Sequence, residues 1–302
     1  MNLVVCKIPK AGLGNQLFPL MKAQVFAHLN NLPIIITGYH QLKIGPYLRS
    51  EKSKRKYLGF FLFEKNILLN FFDKRKLLFY NSKNRIEEPV LNTNYKQNTS
   101  IKEGYFFSKV PHWDNYFGGL REHRKLVNEL LWSLIKPALH KQINALTPPC
   151  IGVHIRMGDF RKLKPDEDFG TVGAVRTPEA YFVKTIQAIR ELNGTDLPVC
   201  IFSDGFREEL QQILSLPNTI LIEGNNDLVD LLLLSKSRLI ITSAGSTFSY
   251  WASFLSEGII IQHPDHPLNI RKIEHVVLPY EGVFDSANTT LTDNIKQIQI
   301  HE

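Results

Sequence analysis

Short apolar runs separated by amphipathic stretches set the pattern of this chain, most regularly in its second half. Residues 150–156 form one such run, followed by a polar loop and helical spacing over 178–192. Apolar runs recur at 199–202, 219–222, 239–242 and 259–261, with helical spacing over 207–214, 228–235, 247–255 and finally 291–300. Strands this short and apolar on both faces, alternating with helices, predict a parallel sheet covered on both sides.

The first forty residues repeat the theme once. A strand over 3–8 leads into a glycine turn at Ala11-Gly12-Leu13-Gly14, a helix over 16–29 and a second strand over 32–36. The pattern then becomes irregular, and residues 38–103 carry no assignable elements. A strand at 104–107 and helical spacing over 120–135 resume it. Pro137 and the Pro148-Pro149 pair punctuate the chain, so the expected domains are 1–148 and 149–302. The fold class expected is α/β, with the parallel sheet clearest in the C-terminal domain.

Composition changes this picture in two places. Residues 43–85 hold twelve Lys/Arg against three Asp/Glu, a local excess larger than the whole chain's net charge of +7. A basic stretch with interleaved aromatics suits a solvated face or an anionic partner, and peripheral docking on anionic membrane is the expectation taken from it. No nucleic-acid fold signature accompanies it, so a nucleic-acid partner is not expected. Cys6, Cys150 and Cys200 are odd in number and set in apolar runs, which fits reduced, buried thiols. No Cys/His cluster has metal-ligand spacing, so no metal is expected. With no apolar run of membrane-spanning length and no secretory leader pattern at the start, the expected location is cytoplasmic, with peripheral contact at the inner membrane.

The candidate chemistry gathers at strand ends. Ile151-Gly152-Val153-His154-Ile155-Arg156-Met157-Gly158-Asp159 is a buried strand that ends on a His, an Arg and an Asp. Alternation puts His154 and Arg156 on one side and Val153 and Ile155 on the other. Ligands of open α/β sheets bind at such carboxyl ends, and an arginine there can fork onto a phosphate. Ser243-Ala244-Gly245-Ser246-Thr247-Phe248 closes another strand and opens a helix. Ser246 and Thr247 can therefore offer hydroxyl and N–H donors to a diphosphate, or Ser246 can serve only as an N-cap. Phe248 can stack on a base or pack in the core, whereas Tyr250 and Trp251 read as core.

Asp204, in Phe202-Ser203-Asp204-Gly205, falls at a third strand end beside His154, suited to accept bonds from a nucleotide or to make a local turn. Asp230 sits in an apolar helix and needs a donor, with Arg156 or another arginine the expected partner. The early glycine turn lacks the third glycine of a dinucleotide fingerprint and is weak evidence for NAD. It can still bring Asn15 to an anion, or use Asn15 as a helix cap.

Taken in order, GLGNQLF, GYFFSK, HIRMGD, FSDG and DLLLLSKSRLIITSAGSTFSYWASFL resemble the bacterial alpha-1,2-fucosyltransferases of glycosyltransferase family 11. The resemblance covers nearly the whole chain. It implies a GT-B fold of two Rossmann-like domains, the N-terminal one on the acceptor side and the C-terminal one binding a GDP-sugar. It implies GDP-fucose as donor substrate, with no cofactor and no metal. Arg156 would neutralise the donor pyrophosphate, His154 and Asp204 would help hold the nucleotide, and Ser246, Thr247 and Phe248 would line the diphosphate and base pocket. Asn15 would close over the donor from the opposing domain.

Two positions depart from the family pattern: Met157 replaces the second arginine of HIRRGD, and Gly205 replaces the second of two aspartates. The activity implied is inverting transfer of L-fucose to a sugar hydroxyl, O2 of a β-galactoside in a surface glycan such as lipopolysaccharide. Asp159 is the nearest candidate for a general base by sequence, with Asp166, Glu167 and Asp168 behind it. A glycosyltransferase using another GDP-sugar or another acceptor is the nearest rival, ahead of an NAD-linked oxidoreductase or a nucleic-acid-binding protein.

Overall fold

In the computed structural model the apolar runs form two separate parallel sheets. Described are residues 2–38, 44–48, 52, 54–62, 84–92, 103–274 and 276–299. Most of the basic stretch 43–85 lies outside them, and with it most of what the membrane expectation rests on. The chain divides into two compact units, Met1–Leu42 with Lys56–His140 and Lys43–Arg55 with Lys141–Glu302.

In the first unit four parallel strands run in the order β2-β1-β4-β3: β1 Leu3–Lys7, β2 Ile34–Thr37, β3 Arg85–Glu87 and β4 Gly104–Phe107. Helix α1 (Leu13–Leu29) is apolar on nearly every side and accordingly almost wholly buried, against β1, β4 and the later helix at Arg124–Leu134. Its Phe18 stacks on Tyr116 and meets Phe117, while Phe26 packs on Tyr105 and Phe107. Aromatic pairs of this kind contribute about 0.5–1.5 kcal/mol beyond their burial. A short turn of helix, α2 (Gly45–Leu48), follows in sequence but belongs to the second unit. Then come α3 (Arg124–Leu134) and α4 (Pro137–Ala145), the latter begun by Pro137. A proline at the first helical position costs nothing, because that N–H has no partner in a helix anyway.

The second sheet has six parallel strands in the order β10-β9-β8-β5-β6-β7. They are β5 Ile151–Ile155, β6 Val199–Ser203, β7 Thr219–Leu221, β8 Leu239–Ile241, β9 Ile259–Gln262 and β10 Glu281–Val283. Connecting them are α5 (Glu179–Asn193), α6 (Gln211–Leu214), α7 (Asp227–Ser235) and α8 (Thr247–Leu255), and α9 (Thr289–Lys296) follows β10. The expected helix over 207–214 is broken into a single 3-10 turn, Arg207–Glu209, and the short α6, separated at Leu210. Along β5, Ile151, Val153, Ile155 and then Met157 join one core with Phe182, Ile186 and Ile189 of α5 and Leu291 and Ile295 of α9. Each such side chain stabilises the fold by about 1.5–3 kcal/mol when fully buried.

Beyond β9 the chain is tied back by a buried ion pair. Arg271, with no side-chain exposure, donates Nε to Glu281 at 3.2 Å, Nη1 to the Ser256 and Gly258 carbonyls at 2.7 and 2.9 Å, and Nη2 to the Pro279 carbonyl at 3.2 Å. Glu281, on the edge strand β10, also accepts the Ile270 and Arg271 N–H groups at 2.7 and 3.0 Å.

Candidate active site

The carboxyl edge of the six-stranded sheet collects the predicted polar residues of the second unit. Ser243, just past β8, stitches two strand ends together: its hydroxyl donates to the His154 carbonyl and accepts the Arg156 N–H, both at 2.9 Å. Across β6, Ser203 donates to the Ile155 carbonyl at 2.8 Å and accepts the Gly205 N–H at 3.0 Å. The backbone on either side of Arg156 is thereby fixed before its side chain makes any contact.

The Arg156 guanidinium lies between two carboxylates. Its Nη1 donates to Asp204 Oδ2 and its Nη2 to Asp159 Oδ1. The other Asp204 oxygen accepts the Met157 N–H at 2.7 Å, so both oxygens of Asp204 are engaged in holding the arginine and its strand end. Asp159 has a second cation: Arg55 Nη2 lies 3.0 Å from Asp159 Oδ2. Burial pushes the Asp159 carboxyl up, but Arg156 and Arg55 more than offset it and hold it below the usual carboxylate value. A carboxylate so held is a weak base and a good anchor.

Two glycines make room for this. A Cβ on Gly158 would fall 2.3 Å from Asp204 Oδ2, so no larger residue fits beside the ion pair. A Cβ on Gly205 would fall 2.6 Å from Met157 Cγ. The two departures from the family pattern therefore touch. Met157 is 7% exposed and turned into the core, and Gly205 leaves it the space.

His154 is buried, with its ring stacked on Phe248 at 4.7 Å between centroids and 22° between planes. Ser246 Oγ lies 3.5 Å from His154 Nδ1 and makes no side-chain cap to α8. Burial, with help from the Arg156 charge, lowers His154 to about 3, so its ring is neutral at physiological pH and can stack or accept but not act as a cation. Thr247 and Phe248 are partly exposed at the start of α8. The loop before them is held by residues whose polar role was not expected: the Thr177 hydroxyl accepts the Ala244 N–H at 3.0 Å, and the Tyr250 hydroxyl accepts the Gly245 N–H at 2.7 Å. Tyr250 and Trp251 are core residues as expected, 1% and 0% exposed.

Glu167 is taken by Arg161, and Asp168 accepts the Gly170 N–H at 3.1 Å. Asp166 is exposed. In the first unit the glycine turn is braced by Gln16, whose amide donates to the Pro9 and Ala11 carbonyls at 3.1 and 3.2 Å. Helix α1 starts at Leu13 with Gly12 as its cap, so Asn15 is not the cap, and its Oδ1 is buried with no hydrogen-bond partner among the described residues.

A family model described as glycosyl transferase family 11 matches residues 5–269. The chain belongs to glycosyltransferase family 11. Among solved structures, the family 11 chain is similar to the fucosyltransferase NodZ from Bradyrhizobium, at 15% identity and a TM-score of 0.51, over 88% of this chain and 96% of that one. NodZ alpha-1,6-fucosyltransferase co-crystallised with GDP gives 14% identity, a TM-score of 0.50 and the same coverage. No curated protein sequence matches. At these identities the likeness speaks to the fold, which is of the GT-B class expected from the sequence.

One expected contact of the family 11 chain is corrected. Asp230 is not paired with Arg156, whose guanidinium is taken by Asp204 and Asp159. The Asn225 amide reaches Asp230 Oδ1 at 3.0 Å and is itself contacted by Gln142 Nε2 at 3.2 Å. Burial dominates and raises the Asp230 carboxyl to about 6, against the smaller lowering by Asn225 and Lys52. Among the described residues no group of three or more His, Cys, Asp or Glu is arranged to hold a metal, and no helix is long and apolar enough to cross a membrane.

Proposed function

We propose that this glycosyltransferase transfers L-fucose from GDP-β-L-fucose, with inversion, to a sugar hydroxyl, O2 of a β-galactoside in a surface glycan. The observation that carries the reading is Arg156 at the carboxyl edge of the six-stranded sheet, beside the opening turn of α8. Inversion by in-line attack builds negative charge on the departing diphosphate. A guanidinium and helix N-terminal donors aimed at that charge supply the dominant stabilisation. In this reading Ser246, Thr247 and the first N–H groups of α8 hold the phosphates, and His154 and Phe248 offer ring faces to the nucleoside. Asp204 and Asp159 orient Arg156 rather than meet the donor. With Asp159 held ionised by two arginines, the acceptor hydroxyl loses its proton late, which suits an oxocarbenium-like transition state that asks little of a base.

A thermal-shift screen of nucleotide sugars tests the donor. GDP-fucose should raise the melting temperature and NADH should not. Transfer to a β-galactoside, followed by NMR of the product linkage, tests the acceptor and the O2 position. Transfer should survive EDTA, since the charge on the diphosphate is met by protein groups. A product linked elsewhere than O2, a different GDP-sugar as the better donor, or strict dependence on added Mg²⁺ or Mn²⁺ would each replace the corresponding part of the reading.

A further inference from the structure

Arg55 comes from a stretch that the sequence offers as a docking face for anionic membrane or as a solvated face, yet Lys43–Arg55 is part of the second unit. Lys52 fixes it there through Glu223 at 3.2 Å, a carboxylate that also takes Arg207 at 3.1 Å. Arg55 itself has φ +54°, a left-handed backbone that non-glycine residues seldom adopt. Its side chain is only 10% exposed, less than Arg156 at 18% or Asp159 at 34%. A strained, largely buried arginine placed on one particular carboxylate is not a solvated charge.

The charges explain what it does. Arg156 alone faces two carboxylates, so Arg156, Asp159 and Asp204 together carry a net charge of −1, which opposes any anion arriving at the strand end. Adding Arg55 brings the group to neutrality. Met157, the neighbour that could have supplied a second guanidinium, is turned into the core and contributes none. We propose that Arg55 is a positioning residue that holds Asp159 as its own counter-ion, freeing the Nη2 face of Arg156 for a nucleotide diphosphate. The inference rests on the reading that such a diphosphate docks on Arg156. When it arrives, the Arg156–Asp159 contact gives way to Arg156–phosphate, and Asp159 keeps a cation in Arg55.

GDP binding by isothermal titration calorimetry is compared in wild type, Arg55→Ala, Asp159→Asn and the double variant, with urea unfolding of each as a stability reference. Arg55→Ala is expected to weaken GDP roughly 10- to 100-fold, within the range of coupled charge contacts. Asp159→Asn should bind GDP at least as tightly as wild type. The double variant should return to within about threefold of wild type, because removing the carboxylate removes the need for its cation. A loss that persists unchanged in the double variant, or GDP affinity unaltered by Arg55→Ala, overturns the inference. A wild type that binds GDP but transfers no fucose removes the donor-sugar assignment and leaves this measurement intact. A wild type that binds neither GDP nor inorganic diphosphate overturns both.

Discussion

Two arginines of the second unit meet carboxylates in different ways. Arg271 has no exposed side-chain surface, and its guanidinium is divided between one carboxylate and three backbone carbonyls that lock the chain after β9 against β10. Arg156 is partly exposed, and the contacts of its two terminal nitrogens are side-chain carboxylates, one of them shared with a second arginine. Backbone carbonyls cannot leave, so Arg271 can only hold the fold. Side-chain carboxylates can be exchanged for the oxygens of an arriving phosphate, so Arg156 is ordered and still exchangeable. What separates a structural guanidinium from a functional one here is the kind of acceptor it has been given.

The sharpest way to break that comparison is to truncate both. Arg271→Ala leaves the buried Glu281 without its cation and is expected to cost about 3–5 kcal/mol of stability, read by urea unfolding, with activity per folded molecule near wild type. Arg156→Ala should do the reverse, lowering turnover by on the order of 100- to 1,000-fold at saturating donor with a small change in unfolding midpoint. Arg156→Lys should also be poor, because a point charge cannot fork onto a diphosphate. If both truncations lowered stability alike and left turnover alone, the distinction drawn from their acceptors would be wrong.

The comparison is sharpened by adding charge to the strand end. Met157→Arg places a guanidinium in a core position, and Gly205→Asp puts a Cβ against Met157, so each alone is expected to cost about 1–3 kcal/mol. Made together they should cost less than the sum of the two, since Gly205 exists to accommodate Met157. Urea unfolding of the four proteins gives the coupling, and strict additivity would refute the compensation. A smaller effect is expected at Asp230, a half-buried carboxylate with an amide in place of an arginine. The unfolded chain ionises near the ordinary value of 3.8, while the folded one keeps the proton to about 6. Raising pH through that window therefore weakens folding. Asp230→Asn should remove this slope and add on the order of 1–2 kcal/mol at pH 7.5. A variant with an unchanged pH slope would place the titration elsewhere.

What could be read in the sequence follows from what each residue contrasts with. His154 and Arg156 stand out because ionisable groups close an otherwise apolar strand. The strands and helices from 150 to 262 stand out because their periods differ. Strands β3 and β10 are no longer than β7 and β8 but offer no apolar run: β3 reads Arg85-Ile86-Glu87 and β10 reads Glu281-Gly282-Val283. Pro137 read as a stop because proline breaks helices in the middle, whereas here it starts one. Asp230 was matched to an arginine because buried carboxylates usually need a cation; sequence gives no means of seeing that Asn225 would be the neighbour. Arg55 was invisible for a similar reason: in a run rich in Lys and Arg, nothing in the sequence marks which of them folds onto Asp159.

The passage of Lys43–Arg55 into the second unit has a consequence for how the protein is made. During synthesis the first unit's strands β1 and β2 emerge before this segment, and the carboxylates its Arg55 and Lys52 reach, Asp159 after β5 and Glu223 after β7, follow only much later. The segment must wait through the translation of β3, β4, α3 and α4 before its docking surface exists. The entropic cost of closing so long a loop grows only slowly with its length, so the delay is tolerable in free energy. In time it is less so. A nascent chain holding Arg55 without Asp159, and Lys52 without Glu223, exposes unmatched charge next to apolar strands still lacking their neighbours. Slowing elongation between α4 and β5 should therefore lower the folded yield of this enzyme more than slowing it after β9.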